Sequence, residues 1–134
     1  MVVVNHAGAI LLIRRTDNGN WALPGGGIDL GESVAQAAVR ETFEESGIEC
    51  VITGIVGIYS DPKHVIFYTS NAEARQEFSI VLTARLLGGQ PTPSSESSQV
   101  RRVPASEVPG YPMDRSMRTR IKDYIARNDS PVII

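Results

Sequence analysis

Short apolar runs separated by polar turn residues divide the first part of the chain into short strands. β-favouring residues occupy positions 2–4 and 9–14, and the Asn-His-Ala-Gly between them predicts a hairpin turn. A second turn at 17–20 leads to a short strand around Trp21, and the following Pro-Gly-Gly-Gly ends regular structure. The pattern therefore predicts a strand-rich unit that leads into a glycine loop.

Two segments show the spacing of apolar residues that is typical of an amphipathic helix. The first covers residues 33–46 and is followed by Gly47, which suits the left-handed position after a helix. The second covers residues 115–127, and residues 90–98 are rich in Pro and Ser and favour a loop. Four further segments favour strands: 51–59, 64–69, 78–87 and 99–103. This order predicts one α/β domain (α+β type) over residues 1–134, with a mixed sheet and helices on its faces.

The composition is that of an ordinary soluble globular protein, with 42% hydrophobic and 21% charged residues. A net charge of -2 favours neither a nucleic acid polymer nor an anionic membrane as the partner. The apolar runs are too short to cross a bilayer, and the amino terminus lacks the features of a secretion signal. A single cysteine, Cys50, cannot form an internal disulfide, so we expect a cytoplasmic protein.

Three glutamates of the first predicted helix lie on one side of it. With Glu41 at 0° on a helical wheel, Glu44 falls at about 300° and Glu45 at about 40°. The packing face is predicted to consist of Ala35, Ala38, Val39, Thr42 and Phe43. Mutual repulsion of the carboxylates costs about 0.2–0.5 kcal/mol per pair. A bound Mg²⁺ would relieve this repulsion, whereas the alternative is a solvated acidic face.

The residues around this helix favour the metal hypothesis. The glycine loop, residues 25–27, allows a backbone carbonyl or amide to approach a metal or a phosphate closely. Arg40, beside the carboxylates, can orient one of them through a bidentate contact. A flexible turn is the alternative for the loop alone. The loop and the carboxylates together indicate metal-assisted phosphate chemistry.

These residues resemble the signature of the Nudix hydrolase family. The family pattern is Gly, five residues, Glu, seven residues, Arg-Glu, an aliphatic residue, any residue, Glu-Glu, any residue, Gly and an aliphatic residue. All its fixed positions are present: Gly26, Glu32, Arg40, Glu41, Glu44, Glu45 and Gly47. Thr42 replaces the usual aliphatic residue, but its methyl can pack in the core while its hydroxyl bonds to a carbonyl one turn earlier.

The resemblance implies an α/β/α sandwich that cleaves a nucleoside diphosphate linked to another moiety, by attack of metal-activated water on phosphorus. The ligands that it implies for Mg²⁺, or for Mn²⁺ as a substitute, are the Gly25 carbonyl and Glu41, Glu44 and Glu45. Arg40 would hold the glutamates in register. Glu32 would satisfy amide groups or pair with Arg40 instead of contacting the metal.

Family members often take a further metal ligand or general base from a loop outside the signature. Glu96, in the long polar loop, is the first candidate here, and Glu77 is the second. For each of them an ordinary surface glutamate is the alternative. Phosphate contacts are expected from Arg14, Arg15 and Arg75, because the guanidinium fork suits phosphate oxygens, although each could be a solvated surface arginine.

The expected substrate is a small nucleotide, either a (d)NTP or a nucleoside diphosphate sugar such as ADP-ribose. The alternative is a catalytically silent nucleotide sensor of the same fold, which would have no need of three repelling carboxylates. An mRNA-decapping role is disfavoured because the chain has no strongly basic stripe. The first strand begins at Val2, so a partner chain covering its edge, and hence a homodimer, is a further expectation.

Overall fold

The computed structural model describes residues 1–63, 65–68, 73–76, 78–127 and 130–134, with the backbone alone for 65–68 and 73–76. Its helices are α1 (Val34–Ser46) and α2 (Arg115–Ala126), and a 3₁₀ turn covers Ala105–Gly110. Its strands are β1 (Val2–Val4), β2 (Ile10–Arg15), β3 (Trp21–Ala22), β4 (Ile48–Tyr59), β5 (Val65–Tyr68), β6 (Glu73–Gln76), β7 (Ser79–Gly89), β8 (Ser97–Val103) and β9 (Val132–Ile133).

Among the described residues, seven strands form one sheet in the order β3-β2-β1-β7-β4-β9, with β8 paired to β2. The β1–β7 and β4–β9 pairs are parallel and the other pairs of this sheet are antiparallel. Strands β5 and β6 form a separate antiparallel hairpin. The predicted mixed sheet is therefore confirmed.

The sheet separates two apolar clusters of the described residues. Leu12 of β2 belongs to the cluster that contains Ile121 of α2, whereas the preceding Leu11 belongs to the cluster against which Val39 of α1 packs. Successive side chains of a strand point to opposite faces, so both faces of β2 are covered. This arrangement confirms the predicted sandwich of a sheet between helices.

Both ends of α1 are defined by its sequence. The Ser33 hydroxyl accepts a hydrogen bond from the Gln36 amide (3.1 Å), and the Gln36 side chain accepts one from the Ser33 amide (2.9 Å). Gly47 ends the helix with a left-handed φ of 74°. Thr42 is fully buried, and its hydroxyl donates to the Ala38 carbonyl at 2.8 Å, as the sequence predicted.

The predicted packing face of α1 was wrong in part. Phe43 is 52% exposed and Ala35 is also exposed, whereas Glu45 is only 6% exposed. The buried side of the helix is rotated toward Glu45 because the loop that precedes β8 lies against it. Ser97 donates a hydrogen bond to the Glu45 carbonyl, and the Thr92 amide donates one to the Ser46 carbonyl at 2.7 Å. The spacing of apolar residues does not predict this buried side, because polar contacts with a distant loop bury it.

Several strand bounds also differ from the predicted ones. β4 begins at Ile48 instead of residue 51, and β8 begins at Ser97, inside the predicted loop. Residues 64 and 69 of the predicted strand 64–69 lie outside the described residues, and the residues between them form β5. β9 was not predicted, because an apolar run this short carries no periodicity.

We expect Gly47→Ala to destabilise the fold by about 3 kcal/mol, because a left-handed backbone and a steric overlap act together. A Cβ at Gly47, where φ is 74°, would overlap the Gln90 carbonyl oxygen and the Thr92 side chain. Gly31→Ala is the matched control, since Gly31 also has a positive φ (88°) but meets nothing within 4 Å. It should cost about 1 kcal/mol. Equal losses for the two variants in urea denaturation would contradict the steric argument.

Candidate active site

A cleft of about 880 Å³ lies beside the glycine loop. The loop and the inner side of α1 form one wall, the end of β2 and the turn after it form another, and α2 approaches from the other side of the sheet. The polar groups that matter below belong to Gly25, Gly26, Arg15, Glu45, Glu96 and Arg120. The cleft therefore joins elements that are distant in the sequence.

Three carboxylates converge beside this cleft, and two of them, Glu45 and Glu96, line it. Glu41, Glu45 and Glu96 each place an oxygen within 4.8 Å of the others. The Glu45 side chain is buried, that of Glu41 is largely buried and Glu96 is exposed at the mouth. Glu44 lies outside this group on the outer side of α1, with a 57% exposed side chain. The predicted set of Glu41, Glu44 and Glu45 is thus split, and Glu96 stands beside two of its members.

Burial governs the electrostatics of Glu45. Burial is the largest cause of a pKa that is raised to about 7. The negative charges of Glu41 and Glu96 raise this pKa further, whereas a backbone amide hydrogen bond lowers it. The hydrogen bond comes from the Gly25 amide, 3.1 Å from Glu45 Oε1. In the absence of a cation the cluster therefore resists full ionisation. Hard oxygen ligands at this spacing suit a divalent cation such as Mg²⁺.

Arg40 connects the acidic side chains of α1 to the loop before it. Its Nε and Nη2 donate to the two Glu32 oxygens at 2.7 and 2.9 Å, and Nη1 donates to Glu41 at 3.0 Å and to Glu44 at 3.1 Å. Nη2 also donates to the Gly27 carbonyl at 3.1 Å. The hydrogen bond from Arg40 lowers the pKa of Glu32. Glu32 is thus a partner of the arginine, not of the three-carboxylate group.

The glycine loop allows a close approach to α1. A Cβ at Gly26 would lie 2.7 and 2.8 Å from the two carboxylate oxygens of Glu41, so a larger residue would displace this carboxylate. Gly25 contributes its amide to Glu45, whereas the predicted role of its carbonyl as a metal ligand stays a prediction.

Hydrogen bonds connect the loop that carries Glu96 to α1 and to the turn after β2. Ser97 is fully buried and donates a hydrogen bond to the Glu45 carbonyl, while the Ser94 hydroxyl accepts from the amides of Glu96 and Ser97, each at 3.2 Å. The Thr16 amide donates to the Glu96 carbonyl at 3.1 Å. These bonds explain how a residue far along the chain reaches the helix. Glu77, the other candidate, lies outside the described residues.

The predicted phosphate-binding arginines separate in the structure. Arg15 lines the cleft and forms an ion pair with Asp17 at 2.6 Å, whereas Arg14 lines a different cavity. Arg75 belongs to β6, where the backbone alone is described. Arg14 and Arg15 are consecutive residues of β2, so the alternation of strand faces sends their side chains to different cavities.

Arg120 is a cleft residue that the sequence analysis missed. It is only 6% exposed, its Nη2 donates to the Ser79 hydroxyl at 2.7 Å, and its guanidinium carbon lies 5.4 Å from the Tyr59 ring centroid. The available signal was its position in α2, three residues after Met117 and next to Ile121 on the apolar side. A buried arginine at a cleft is a candidate contact for a substrate.

Known proteins are similar to this chain in sequence. A family model described as NUDIX domain matches residues 1–126. The chain belongs to the Nudix family. A MutT-like protein from Streptomyces ambofaciens is 35% identical over 107 residues, which cover 80% of this chain and 62% of that protein. An ADP-ribose pyrophosphatase from Methanocaldococcus jannaschii is 30% identical over 131 residues, covering 92% and 69%.

Solved Nudix structures share the same fold. The crystal structure of an ADP-ribose pyrophosphatase from Streptococcus suis has a TM-score of 0.73 at 24% identity, and the match covers 98% of this chain and 92% of that one. The chain spans 42% and 62% of the lengths of two curated relatives that it matches. In the described part of the chain, neither helix is long and apolar enough to cross a membrane.

Proposed function

We propose that this Nudix chain is a pyrophosphohydrolase that uses a divalent cation to cleave the pyrophosphate linkage of a small nucleotide. The observation that carries the proposal is the convergence of Glu41, Glu45 and Glu96 within 4.8 Å, beside a cleft that Glu45 and Glu96 line. Burial of Glu45 among other carboxylates works against folding unless a cation compensates it. A chain that only bound nucleotides would have no use for this arrangement.

The residues present fit Mg²⁺, with Mn²⁺ as a substitute. Glu41, Glu45 and Glu96 would hold the cation through carboxylate oxygens, and the Gly25 carbonyl lies on the adjacent loop. Glu44 contacts Arg40 on the outer side of α1, so its role as a further ligand stays a prediction. When bound, the cation supplies positive charge that neutralises phosphate oxygens and lowers the pKa of water. Arg40 keeps Glu41 and Glu44 in place. Glu96 would serve either as the third carboxylate ligand of the cation or as the base that accepts a proton from water.

The proposed substrate class rests on the size of the cleft and on the positively charged arginine at its rim. A cleft of about 880 Å³ is large enough for a nucleotide, and Arg15 at its rim can bind a phosphate after leaving Asp17. Relatives named ADP-ribose pyrophosphatase and putative 8-oxo-dGTP diphosphatase make ADP-ribose and a (d)NTP the compounds to test. We place the activity in the cytoplasm, within a single domain over residues 1–134. The expected exposed edge of the first strand was wrong, because β1 is paired with β2 on one side and with β7 on the other, so β1 gives no support for a homodimer.

A panel assay tests the proposed function. The wild-type chain is expected to hydrolyse at least one of ADP-ribose, dGTP and 8-oxo-dGTP with Mg²⁺ present, and EDTA should abolish the activity. Glu96→Gln should lower kcat by about 100-fold, because a proton acceptor or metal ligand is lost. Products identified by chromatography would show which phosphorus is attacked.

Glu107→Gln is the matched control, since Glu107 is an exposed glutamate of the 3₁₀ turn that does not line the cleft. It should retain the wild-type rate. Tight binding of one panel compound without turnover under any metal would reject the enzyme and favour a nucleotide sensor. Full activity of Glu96→Gln would reject only the role of Glu96 and would leave the proposed function in place.

A further inference from the structure

A second cavity, of about 390 Å³, lies on the α2 side of the sheet. We call it the Trp21 pocket, and its lining residues are Arg14, Trp21, Gln99, Arg101, Gly110, Tyr111 and Pro112. It shares no lining residue with the catalytic cleft. The Trp21 pocket is therefore separate from the carboxylate site.

Strand pairing places two arginines on one wall of the Trp21 pocket. Arg14 of β2 lies opposite Gln99 of β8, and Leu12 lies opposite Arg101. Residues two apart on a strand share a face, so Arg14 and Arg101 are diagonal neighbours across an antiparallel pair. Arg15 is the next residue after Arg14 and lines the catalytic cleft instead.

Both arginines keep donors available for a ligand. Arg14 uses its Nε to donate to the Gly19 carbonyl at 3.0 Å, and Arg101 donates from Nη1 to the Tyr111 hydroxyl at a long 3.4 Å. Both side chains are exposed, and neither forms a salt bridge with a carboxylate in the part of the chain that the structure describes. Elsewhere, Arg15 and Arg40 are paired with acids. Two unneutralised guanidinium groups on one wall attract an anion.

The aromatic wall of the Trp21 pocket is held in place. The Trp21 ring is 5% exposed and packs edge to face on Tyr111, with centroids 5.0 Å apart. The Trp21 amide donates to the Pro112 carbonyl at 2.8 Å, and Arg118 donates to the Tyr111 carbonyl at 2.7 Å. The Arg101 guanidinium lies 5.3 Å from the Trp21 ring centroid. A ligand would thus enter a preformed pocket, with little ordering needed.

We propose that the Trp21 pocket is a binding site for the phosphate group of a small molecule, held between Arg14 and Arg101. Arginine forks match phosphate oxygens in geometry and in charge, and Gln99 adds an amide on the same wall. The phosphate can belong to free inorganic phosphate or to a mononucleotide. The site is distinct from the carboxylate cluster, so it stands whether or not the chain hydrolyses nucleotides.

The only tryptophan of the chain reports on this pocket directly. Intrinsic fluorescence is titrated with inorganic phosphate, pyrophosphate and AMP in EDTA, so that no cation occupies the carboxylate site. We expect a saturable change as the Arg101 guanidinium shifts from the Trp21 ring toward the phosphate. AMP binding more tightly than phosphate would identify a nucleotide as the source, and equal affinities would identify the phosphate group alone.

Adjacent arginines provide matched variants for the titration. Arg14→Ala and Arg101→Ala should each weaken phosphate binding at least about tenfold, because each removes charged hydrogen bonds. Arg102→Ala should stay within about twofold, because Arg102 is the next residue after Arg101 but lines neither cavity. No response of the wild type at millimolar phosphate would overturn the proposal. A response that persists in Arg14→Ala and Arg101→Ala, or disappears in Arg102→Ala, would also overturn it.

Discussion

Glu45→Gln is expected to lower kcat/KM for nucleotide hydrolysis by at least about 100-fold, because it removes a charged ligand from the proposed cation site. Glu45 is the most buried member of the cluster, so no solvent-exposed carboxylate can replace it. Its oxygen also accepts the Gly25 amide at 3.1 Å, a contact that glutamine preserves through its own carbonyl. The loss should therefore reflect charge and metal affinity, not a collapse of the loop. Steady-state kinetics with a Mg²⁺ titration measures both.

Although it lowers activity, Glu45→Gln should stabilise the metal-free chain at alkaline pH. The folded-state pKa of Glu45 is raised from 4.5 to about 7, so the folded state holds this proton more tightly than the unfolded state. The associated stability is complete below pH 4.5 and is lost as the pH rises through about 7. Solvent at the open side of the cleft screens the effect to about 2 kcal/mol. Glu45→Gln should remove this loss, so that the variant is more stable than wild type at pH 8 in EDTA.

Glu49→Gln is the control for both measurements, because Glu49 is exposed on β4 and does not line the cleft. It should change neither the rate nor the pH dependence of the free energy of unfolding. If Glu45→Gln retained wild-type activity, the assignment of the cation site would be wrong. If its stability fell with pH as in wild type, Glu45 would not be the group that titrates.

The signature residues made part of the site predictable because their spacing converts directly into helix geometry. Glu41 and Glu45 are one turn apart, so they stay neighbours in any α-helix. Their burial was not predictable, since it comes from backbone groups of a loop that is distant in the sequence. Glu44 is a helix neighbour of Glu41 as well, yet it faces solvent and Arg40. The helical wheel gives relative angles around the axis, and only the fold shows which angle faces the sheet.

Other parts of the site depend on strand faces and on contacts between distant segments, which residue types alone do not predict. Arg14 and Arg15 are equally good phosphate-binding candidates by residue type, but the alternation of strand faces sends them to two different cavities. Glu96 was a candidate for its polar loop, and its position against α1 depends on the buried Ser97. Arg120 was overlooked because a charged residue in a terminal helix is usually solvated. In each case the sequence alone does not show which distant segment of the chain packs beside the residue.

Gly26→Ala is expected to reduce kcat/KM by about 100-fold while leaving the fold intact, because it moves a carboxylate instead of unfolding a helix. The new Cβ would lie 2.7 and 2.8 Å from the Glu41 oxygens, which belong to the end of a flexible side chain and can move away cheaply. Gly26 does not have a positive φ, so alanine causes no backbone strain there. The free energy of unfolding should change by less than about 1 kcal/mol.

Gly27→Ala separates loss of loop flexibility from displacement of Glu41. Gly27 follows Gly26 in the same loop, also lacks a positive φ, and a Cβ there would meet nothing within 4 Å. Its kcat/KM should stay within about threefold of wild type. Equal losses in the two variants would mean that the loop must flex during turnover. A loss confined to Gly26→Ala, together with weaker Mg²⁺ binding, would mean that the glycine is needed because Glu41 occupies the space where a side chain would be.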